Sequence, residues 1–285
     1  MEITEAKVVE GFLCLIGDPV SHSLSPAIYN GFFKEEGINA LYFALKVKKE
    51  DLKRVIRLFR RLEIVGFNIT MPHKLSITRL LDRVDPLAES IRAVNTVVVK
   101  DGEFIGYNTD ALGLRAILQD WNFSRAQRAL LVGAGGYARA VAHVIADFVE
   151  ELLIVSKSGV TASNLASEVK EKYGIHAKGF KAAEAWNNTA GQFDIIVNAS
   201  PVGMKDPSAI PLPSRLLKRG CLVVDAVYDP LETRLLREAK RRGCRVIDGL
   251  WLLSYQAAKN IELWFKRRAD PVRLRSIALE AIEDG

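Results

Sequence analysis

The stretch Arg128-Ala-Leu-Leu-Val-Gly-Ala-Gly-Gly-Tyr-Ala-Arg-Ala140 decides the fold of this chain. Its apolar opening reads as a short buried strand, and the residues from Ala138 to Ile145 carry a helical pattern. Three closely spaced glycines therefore fall between a strand and a helix. In that context Gly133 makes the tight turn, Gly135 lets the backbone approach a diphosphate, and Ala138 is small enough for the helix to close onto the strand. Ala134 and Gly136 complete the cofactor-binding turn, and the helix amino terminus supplies unpaired N–H groups for the phosphates.

An NAD site places an acidic residue roughly 20 residues on, at the end of the second strand. Here the candidate strand Glu151-Leu-Leu-Ile-Val155 runs into Ser156-Lys157-Ser158 without a carboxylate. An ammonium between two hydroxyls suits the extra phosphate of NADP, which brings charge and several acceptor oxygens. The plainer alternative is a solvated loop lysine.

The glycine turn lies well inside a chain of 285 residues that is 49% hydrophobic, so a separate domain is expected ahead of it. A formal charge of +6 suits anionic ligands. Much of the excess sits in Lys48-Lys49, Arg60-Arg61, Lys240-Arg241-Arg242 and Lys266-Arg267-Arg268, which read as solvated helix ends, and nothing points to nucleic acid. Cys14, Cys221 and Cys244 are odd in number and lie beside apolar runs, which predicts buried thiols in a reducing compartment. No charged-then-apolar leader opens the chain and no run approaches about 18 apolar residues, so the expectation is a cytoplasmic protein without a membrane span.

From the start of the chain, Phe12 to Ile16, Ala40 to Leu45 and Ile64 to Phe67 read as strands, with helices from Pro26 onward and near Leu52 to Leu62. Ser25 is placed as N-cap of the first helix and Pro26 as its first residue. This alternation makes an open α/β unit whose strand ends collect polar residues: Ser21 to Ser25, Asn68 to Lys74, Asn95-Thr96 and Asn108 to Asp110. A compact helix with Leu75, Leu80 and Leu81 is expected next, then one around Leu87 to Ile91 and a hairpin, Val94 to Val99 with Glu103 to Tyr107, turned by Asp101-Gly102. A helix from Ala111 to Leu118 and a boundary loop at Trp121-Asn122-Phe123 lead to the glycine turn. Its later strands are expected at Asp194 to Asn198, Leu222 to Asp225 and Arg245 to Ile247. Pro207, Pro211 and Pro213 mark a surface segment.

Lys74 and Asp110 are the candidate catalytic pair. Ketone reduction needs a hydride and a proton delivered to the developing alkoxide, and a lysine beside a carboxylate can stabilise that charge and transfer the proton. The same two residues could instead form a structural salt bridge. His73 reads as a structural histidine, and no histidines and carboxylates have metal-ligand spacing.

The ordered motifs Ser21-His-Ser-Leu-Ser-Pro26, Asn68-Ile-Thr-Met-Pro-His-Lys74, Ala93-Val-Asn-Thr96, Gly106-Tyr-Asn-Thr-Asp110, Gly133-Ala-Gly-Gly136, Asn198-Ala-Ser-Pro-Val-Gly-Met204 and Asp248-Gly-Leu250 with Gln256 span nearly the whole chain. Together they resemble the shikimate dehydrogenase family, which reversibly reduces 3-dehydroshikimate with NADPH in aromatic amino-acid biosynthesis. The resemblance implies an amino-terminal open α/β substrate domain over 1–110 and a Rossmann NADP-binding domain over 111–250. It also implies carboxy-terminal helices over 251–285 that return to the first domain, and an active site in the interdomain cleft.

By the same resemblance Ser21 and Ser23 bind the substrate carboxylate, and Thr70, Asn95, Asp110 and Gln256 meet its ring hydroxyls or reacting oxygen. Lys74 and Asp110 are catalytic, and Tyr228 lines the substrate side. Asn198 belongs to the cofactor set, Gly249 and Leu252 border the nicotinamide, and Ser156-Lys157-Ser158 replaces the family's Asn-Arg-Thr. A quinate-using relative and a non-catalytic NADP-sensing protein are the alternatives, and a monomer or homodimer is expected.

Overall fold

The computed structural model describes residues 11–188 and 192–283, without the side chains of residues 187 and 188. It contains two compact units, one running to Thr109 and resuming at Ala257, the other spanning Asp110–Gln256.

The first unit contains β1 (Gly11–Gly17), α1 (Ser25–Glu35), β2 (Ala40–Lys46), α2 (Leu52–Phe59), β3 (Ile64–Ile69), β4 (Arg83–Val84), α3 (Pro86–Ile91), β5 (Thr96–Lys100) and β6 (Glu103–Tyr107). The strands form one sheet in the order β2-β1-β3-β5-β6-β4. β1 runs parallel to β2 and β3, whereas β5 is antiparallel to both β3 and β6. That reversal brings Asn68 opposite Thr96 and Thr96 opposite Tyr107. The ends of β1, β3 and β6 and the start of β5 therefore share one edge. The hairpin turn has φ of 52° at Asp101 and 78° at Gly102, the left-handed pair that a two-residue turn needs.

Alternation along the strands fills both faces of this sheet. Cys14, Ile16, Ile56, Phe59, Phe67, Val97 and Phe104 belong to one buried cluster. Elsewhere in the unit Tyr29 stacks on Tyr42 at 4.3 Å between centroids and meets Trp264 edge-on at 5.5 Å, and Trp264 donates its Nε1–H to the Val97 carbonyl at 3.0 Å. Asn30 clamps both the N–H and the C=O of Tyr42 at 2.8 Å, occupying polar groups on the edge strand β2.

Local differences from the sequence reading have physical causes. α1 starts at Ser25 with Leu24 before it, and the cap comes from Ser23, whose Oγ accepts the Ser25 N–H at 3.2 Å. α2 stops at Phe59, where its apolar stripe ends. The helix expected around Leu75 to Leu81 is reduced to a 3₁₀ turn at Ile77–Leu80. Only Ile77 is fully buried there, Leu75 is 51% exposed, and Leu81 is already extended. Lys48-Lys49 sits at the entry to a 3₁₀ turn, Lys49–Asp51, rather than at a helix end, with Glu50 and Asp51 offsetting its charge.

The second unit receives the chain at α4 (Thr109–Asp120) and continues through β7 (Ala126–Val132), α5 (Gly136–Ile145), β8 (Val149–Ser156), α6 (Gly159–Tyr173), β9 (His176–Lys181), α7 (Ala182–Asn188), β10 (Ile195–Asn198), β11 (Leu222–Asp225), α8 (Arg234–Arg241) and β12 (Arg245–Ile247). α9 (Gly249–Phe265) carries the chain back to the first unit, followed by α10 (Pro271–Glu283).

The sheet order β12-β11-β10-β7-β8-β9 is parallel throughout and reverses direction at β7. This is the doubly wound dinucleotide-binding order, with its switch point beside the glycine turn. Trp121-Asn122-Phe123 forms the turn between α4 and β7 inside this unit. The proline-marked segment is not confined to the surface, because Leu212, Leu216 and Leu217 enter the core beside Leu235 and Leu236. No helix among the described residues is long and apolar enough to cross a membrane.

Candidate active site

Three loops converge at the polar edge of the first unit. The loop after β1 presents Ser21, exposed, and Ser23, half-buried, whose oxygen is held by the start of α1. After β3, Thr70 donates its N–H to the Ile16 carbonyl at 2.9 Å and accepts the N–H of His73, which fixes the turn carrying Lys74. His73 is fully buried and pairs its Nε2 with the Val47 carbonyl at 2.8 Å, so it anchors this loop. The Lys74 carbonyl accepts the Val94 N–H at 2.9 Å, which ties the lysine's backbone directly to the segment carrying Asn95.

Asn95 is 2% exposed and its orientation is set by its neighbours. Its Oδ1 accepts the Thr109 N–H at 2.7 Å, which fixes the orientation of the amide. Behind it lies a network that the sequence reading did not assemble. Thr96 Oγ1 is within 2.9 Å of Asn68 Nδ2, 2.7 Å of Thr109 Oγ1 and 2.8 Å of Asn260 Oδ1. Tyr42 donates to Asn68 Oδ1 at 2.8 Å, and Asn260 Nδ2 donates to Tyr29 at 2.6 Å. Since Asn68 can only donate to Thr96 and Asn260 Oδ1 can only accept from it, the single Thr96 proton goes to Asn260 and the Thr109 hydroxyl donates to Thr96. Asn68 and Thr109 belong to the motifs Asn68–Lys74 and Gly106–Asp110, whereas Asn260 gives no signal in sequence.

In the second unit Gly133 adopts φ of 121°, and a Cβ there would come within 2.8 Å of the Ala199 carbonyl oxygen. Gly133 therefore serves close packing of the 199–200 loop as well as the turn. Gly135 is different: it precedes α5 in an extended conformation, and a Cβ there would meet nothing. The open space before a helix amino terminus fits a dinucleotide diphosphate, and Ala138 is fully buried as close helix–strand packing requires. Ala134 and Gly136 complete this turn, with Gly136 the first helical residue.

Asn198 is fully buried with both ends of its amide engaged. Nδ2 donates to Asp225 at 2.8 Å, and Oδ1 accepts from the Ser200 N–H at 3.1 Å and its hydroxyl at 2.6 Å. Its side chain shapes the loop after β10. Asp225 also accepts from Thr233 at 2.6 Å and the Val227 N–H at 3.1 Å, while burial pushes its pKa up against these donors. Burial, then the charges of Asp110 and Asp225, push the Tyr137 phenol well above its usual value. Asp110, in the first turn of α4 and 7% exposed, thus lies in the electrostatic neighbourhood of the glycine turn.

At the end of β8 the Ser156 hydroxyl turns inward to the Ser158 carbonyl and lies 3.1 Å from Thr161 Oγ1, leaving Lys157 and Ser158 as the exposed groups. Gly249 packs against the Val227 carbonyl, Leu252 is 7% exposed, and Tyr228 and Gln256 are half-buried. Burial raises the Cys14 thiol strongly and pushes Cys221 to about 12, so neither is a thiolate nucleophile near neutral pH. Among the described residues no group of three or more histidines, cysteines and carboxylates could hold a metal.

Residues 15–97 match the family model described as the shikimate dehydrogenase substrate binding domain. The chain is 40% identical over 271 residues to shikimate dehydrogenase (NADP(+)) of Pyrococcus abyssi, covering 95% of this chain and 98% of the relative. It resembles the crystal structure of shikimate 5-dehydrogenase from Thermus thermophilus in complex with NADP(H) and shikimate, with TM-score 0.84, 35% identity and coverage of 95% and 99%. Quinate dehydrogenase from Corynebacterium glutamicum in complex with NAD also aligns, with TM-score 0.86, 30% identity and coverage of 95% and 99%. Similarity of this extent to both sequences and structures, over a substrate-type sheet edge and a dinucleotide turn, places the chain in the shikimate dehydrogenase family.

Proposed function

We propose that this protein is an NADP-dependent shikimate dehydrogenase that interconverts 3-dehydroshikimate and shikimate. The observation that carries the reading is the polar edge of the first sheet, where the Lys74 loop is hydrogen-bonded to the segment bearing the oriented amide of Asn95. A dinucleotide turn without an acid at the end of the second strand accompanies it. Gly133, Ala134, Gly135, Gly136 and Ala138 would hold NADP, whose reduced form would supply the hydride for the ring carbonyl carbon.

The chain's own groups do the rest. Ser21 and Ser23 donate to the substrate carboxylate, and Thr70, Asn95 and Gln256 orient the ring through its oxygens. Lys74 gives its proton to the carbonyl oxygen as hydride arrives, and Asp110 stabilises the lysine's charged form before transfer. Tyr228 would border the substrate, Gly249 and Leu252 the nicotinamide, and Lys157 and Ser158 would donate to the 2′-phosphate. In the reverse direction neutral Lys74 takes the hydroxyl proton.

The test is a matrix of steady-state rates for shikimate and quinate with NADP and NAD, in the parent and in Lys74→Ala. The expected result is fastest turnover with shikimate and NADP, and a loss of about 10²-fold or more in kcat for the variant with a smaller change in KM. Faster turnover of quinate would assign the protein to the quinate-using branch. Near-normal kcat in a folded Lys74→Ala would remove the lysine from proton transfer.

A further inference from the structure

The end of β8 and the end of β9 bring a second cation beside Lys157. In the parallel register Ser156 pairs with Lys181, the last residue of β9. Phe180 packs with the cluster containing Val155, so by strand alternation Lys181 lies on the opposite face together with Gly179. That face is the α6 side, because a Cβ on Gly179 would meet Ala162 and Ser163 of α6 within 2.4 Å. A Cβ on Gly159, the first residue of α6, would lie 3.2 Å from both the Cβ and the backbone N of Lys181. The absence of a side chain at Gly159 thus lets Lys181 sit against the opening of the helix.

Two exposed lysines at this point are electrostatically unfavourable for the protein alone. The amino terminus of a helix is its positive end, the first turn of α6 contains no acid, and no ion pair forms with Lys157 or Lys181 among the described residues. The Ser156 hydroxyl is turned inward and contributes little to an external ligand. An anion is the group that balances this arrangement.

We propose that Lys181 is a specificity-determining residue for the coenzyme, acting with Lys157 on the adenosine 2′-phosphate of NADP. The inference rests on NADP being the coenzyme. A lysine gives one ammonium where an arginine gives a bidentate fork, and a second lysine from the neighbouring strand restores the missing charge and donors. The sequence reading did not find Lys181 because it lies 24 positions beyond Lys157, and only the β8–β9 register brings it back to that loop.

The experiment is calorimetric titration of NADP, NAD, 2′,5′-ADP and 5′-ADP into the parent, Lys181→Ala, Lys157→Ala and the double variant, with Lys181→Glu as a charge reversal. For Lys181→Ala the expected result is a loss of about 5- to 20-fold in affinity for NADP and 2′,5′-ADP, with NAD and 5′-ADP within about twofold of the parent. Lys181→Glu should lose more, and added salt should narrow the gap between parent and variant. Equal weakening of ligands with and without the 2′-phosphate, or a variant whose NADP-to-NAD ratio is unchanged from a parent that prefers NADP, overturns the role of Lys181 and leaves the coenzyme assignment standing. A parent that binds NADP no better than NAD overturns both.

Discussion

Thr96→Val replaces the hydroxyl at the centre of the buried network by a methyl of nearly equal size. Its cost follows from what each neighbour has left. Asn260 Oδ1 loses the donor at 2.8 Å and has no other described partner. Asn68 Nδ2 retains the Asn95 carbonyl at 3.2 Å, and the Thr109 hydroxyl, released from Thr96, turns to Asn95 Oδ1 at 3.1 Å, both longer than the contacts removed. One orphaned buried carbonyl and two weakened bonds sum to about 2–4 kcal/mol. The assay is urea denaturation combined with hydrogen exchange of the β3 and β5 amides, with Asn260→Leu and the double variant completing a cycle. Removing both partners leaves fewer orphans than the two single changes added together, so the double variant should be more stable than their sum by at least about 1 kcal/mol. A Thr96→Val protein within about 0.5 kcal/mol of the parent, or strict additivity, would refute the wiring deduced for Thr96.

Gly133→Ala and Gly135→Ala should separate folding from ligand binding: the first meets the Ala199 carbonyl and should lower Tm, whereas the second has open space and should keep Tm but weaken NADP at least about 10-fold by calorimetry. Changing Ser21 and Ser23 together to alanine should raise KM for shikimate far more than it alters kcat, and an unchanged KM would remove both hydroxyls from the substrate site. His143 is held neutral at a pKa of about 4, first by burial and then by Lys172 and Arg139, against an ordinary value of 6.5. Because its folded pKa is depressed, its stabilising contribution is complete above about pH 6.5 and is lost as pH falls towards 4. Thermal melts between those limits should show a steeper acid decline for the parent than for His143→Gln, and parallel curves would exclude this residue as the cause.

The doubly wound half was legible because its signals are local. A strand, three glycines and a helix occupy consecutive residues, and β11 and β12 were read at their observed bounds. The helices α6 and α7 leave no reading in the sequence and α8 is seen only as the basic helix end at Lys240-Arg241-Arg242, while β9 escapes because His-Ala-Lys-Gly-Phe-Lys has no apolar alternation and its position is fixed by pairing with β8. The ordered motifs pointed to Lys74, Asn95 and Asp110 as residues, but not to the reversed strand β5 that turns Asn95 and Thr96 towards Asn68. Ser25 carries the right chemistry for a cap but is itself the first helical residue, and Ser23, two positions earlier, accepts its N–H from outside the helix. Side-chain wiring across more than a hundred residues, as between Thr96 and Asn260, leaves no periodic trace in the chain.

The first unit is assembled from two distant parts of the chain, and this sets an order of events during synthesis. Residues 110–256 form a unit of contiguous chain, so its contacts close without the segment from Ala257 onward. The earlier residues must wait: Tyr29 and Thr96 find Asn260, Val97 finds Trp264, and Gly31 finds Ile277 only when the last helices are made. Until then the aromatic face of the substrate-side sheet stays open to solvent and to chaperones, and a released chain truncated before Asn260 carries every residue of the nucleotide unit but lacks the partners of Tyr29, Thr96 and Val97.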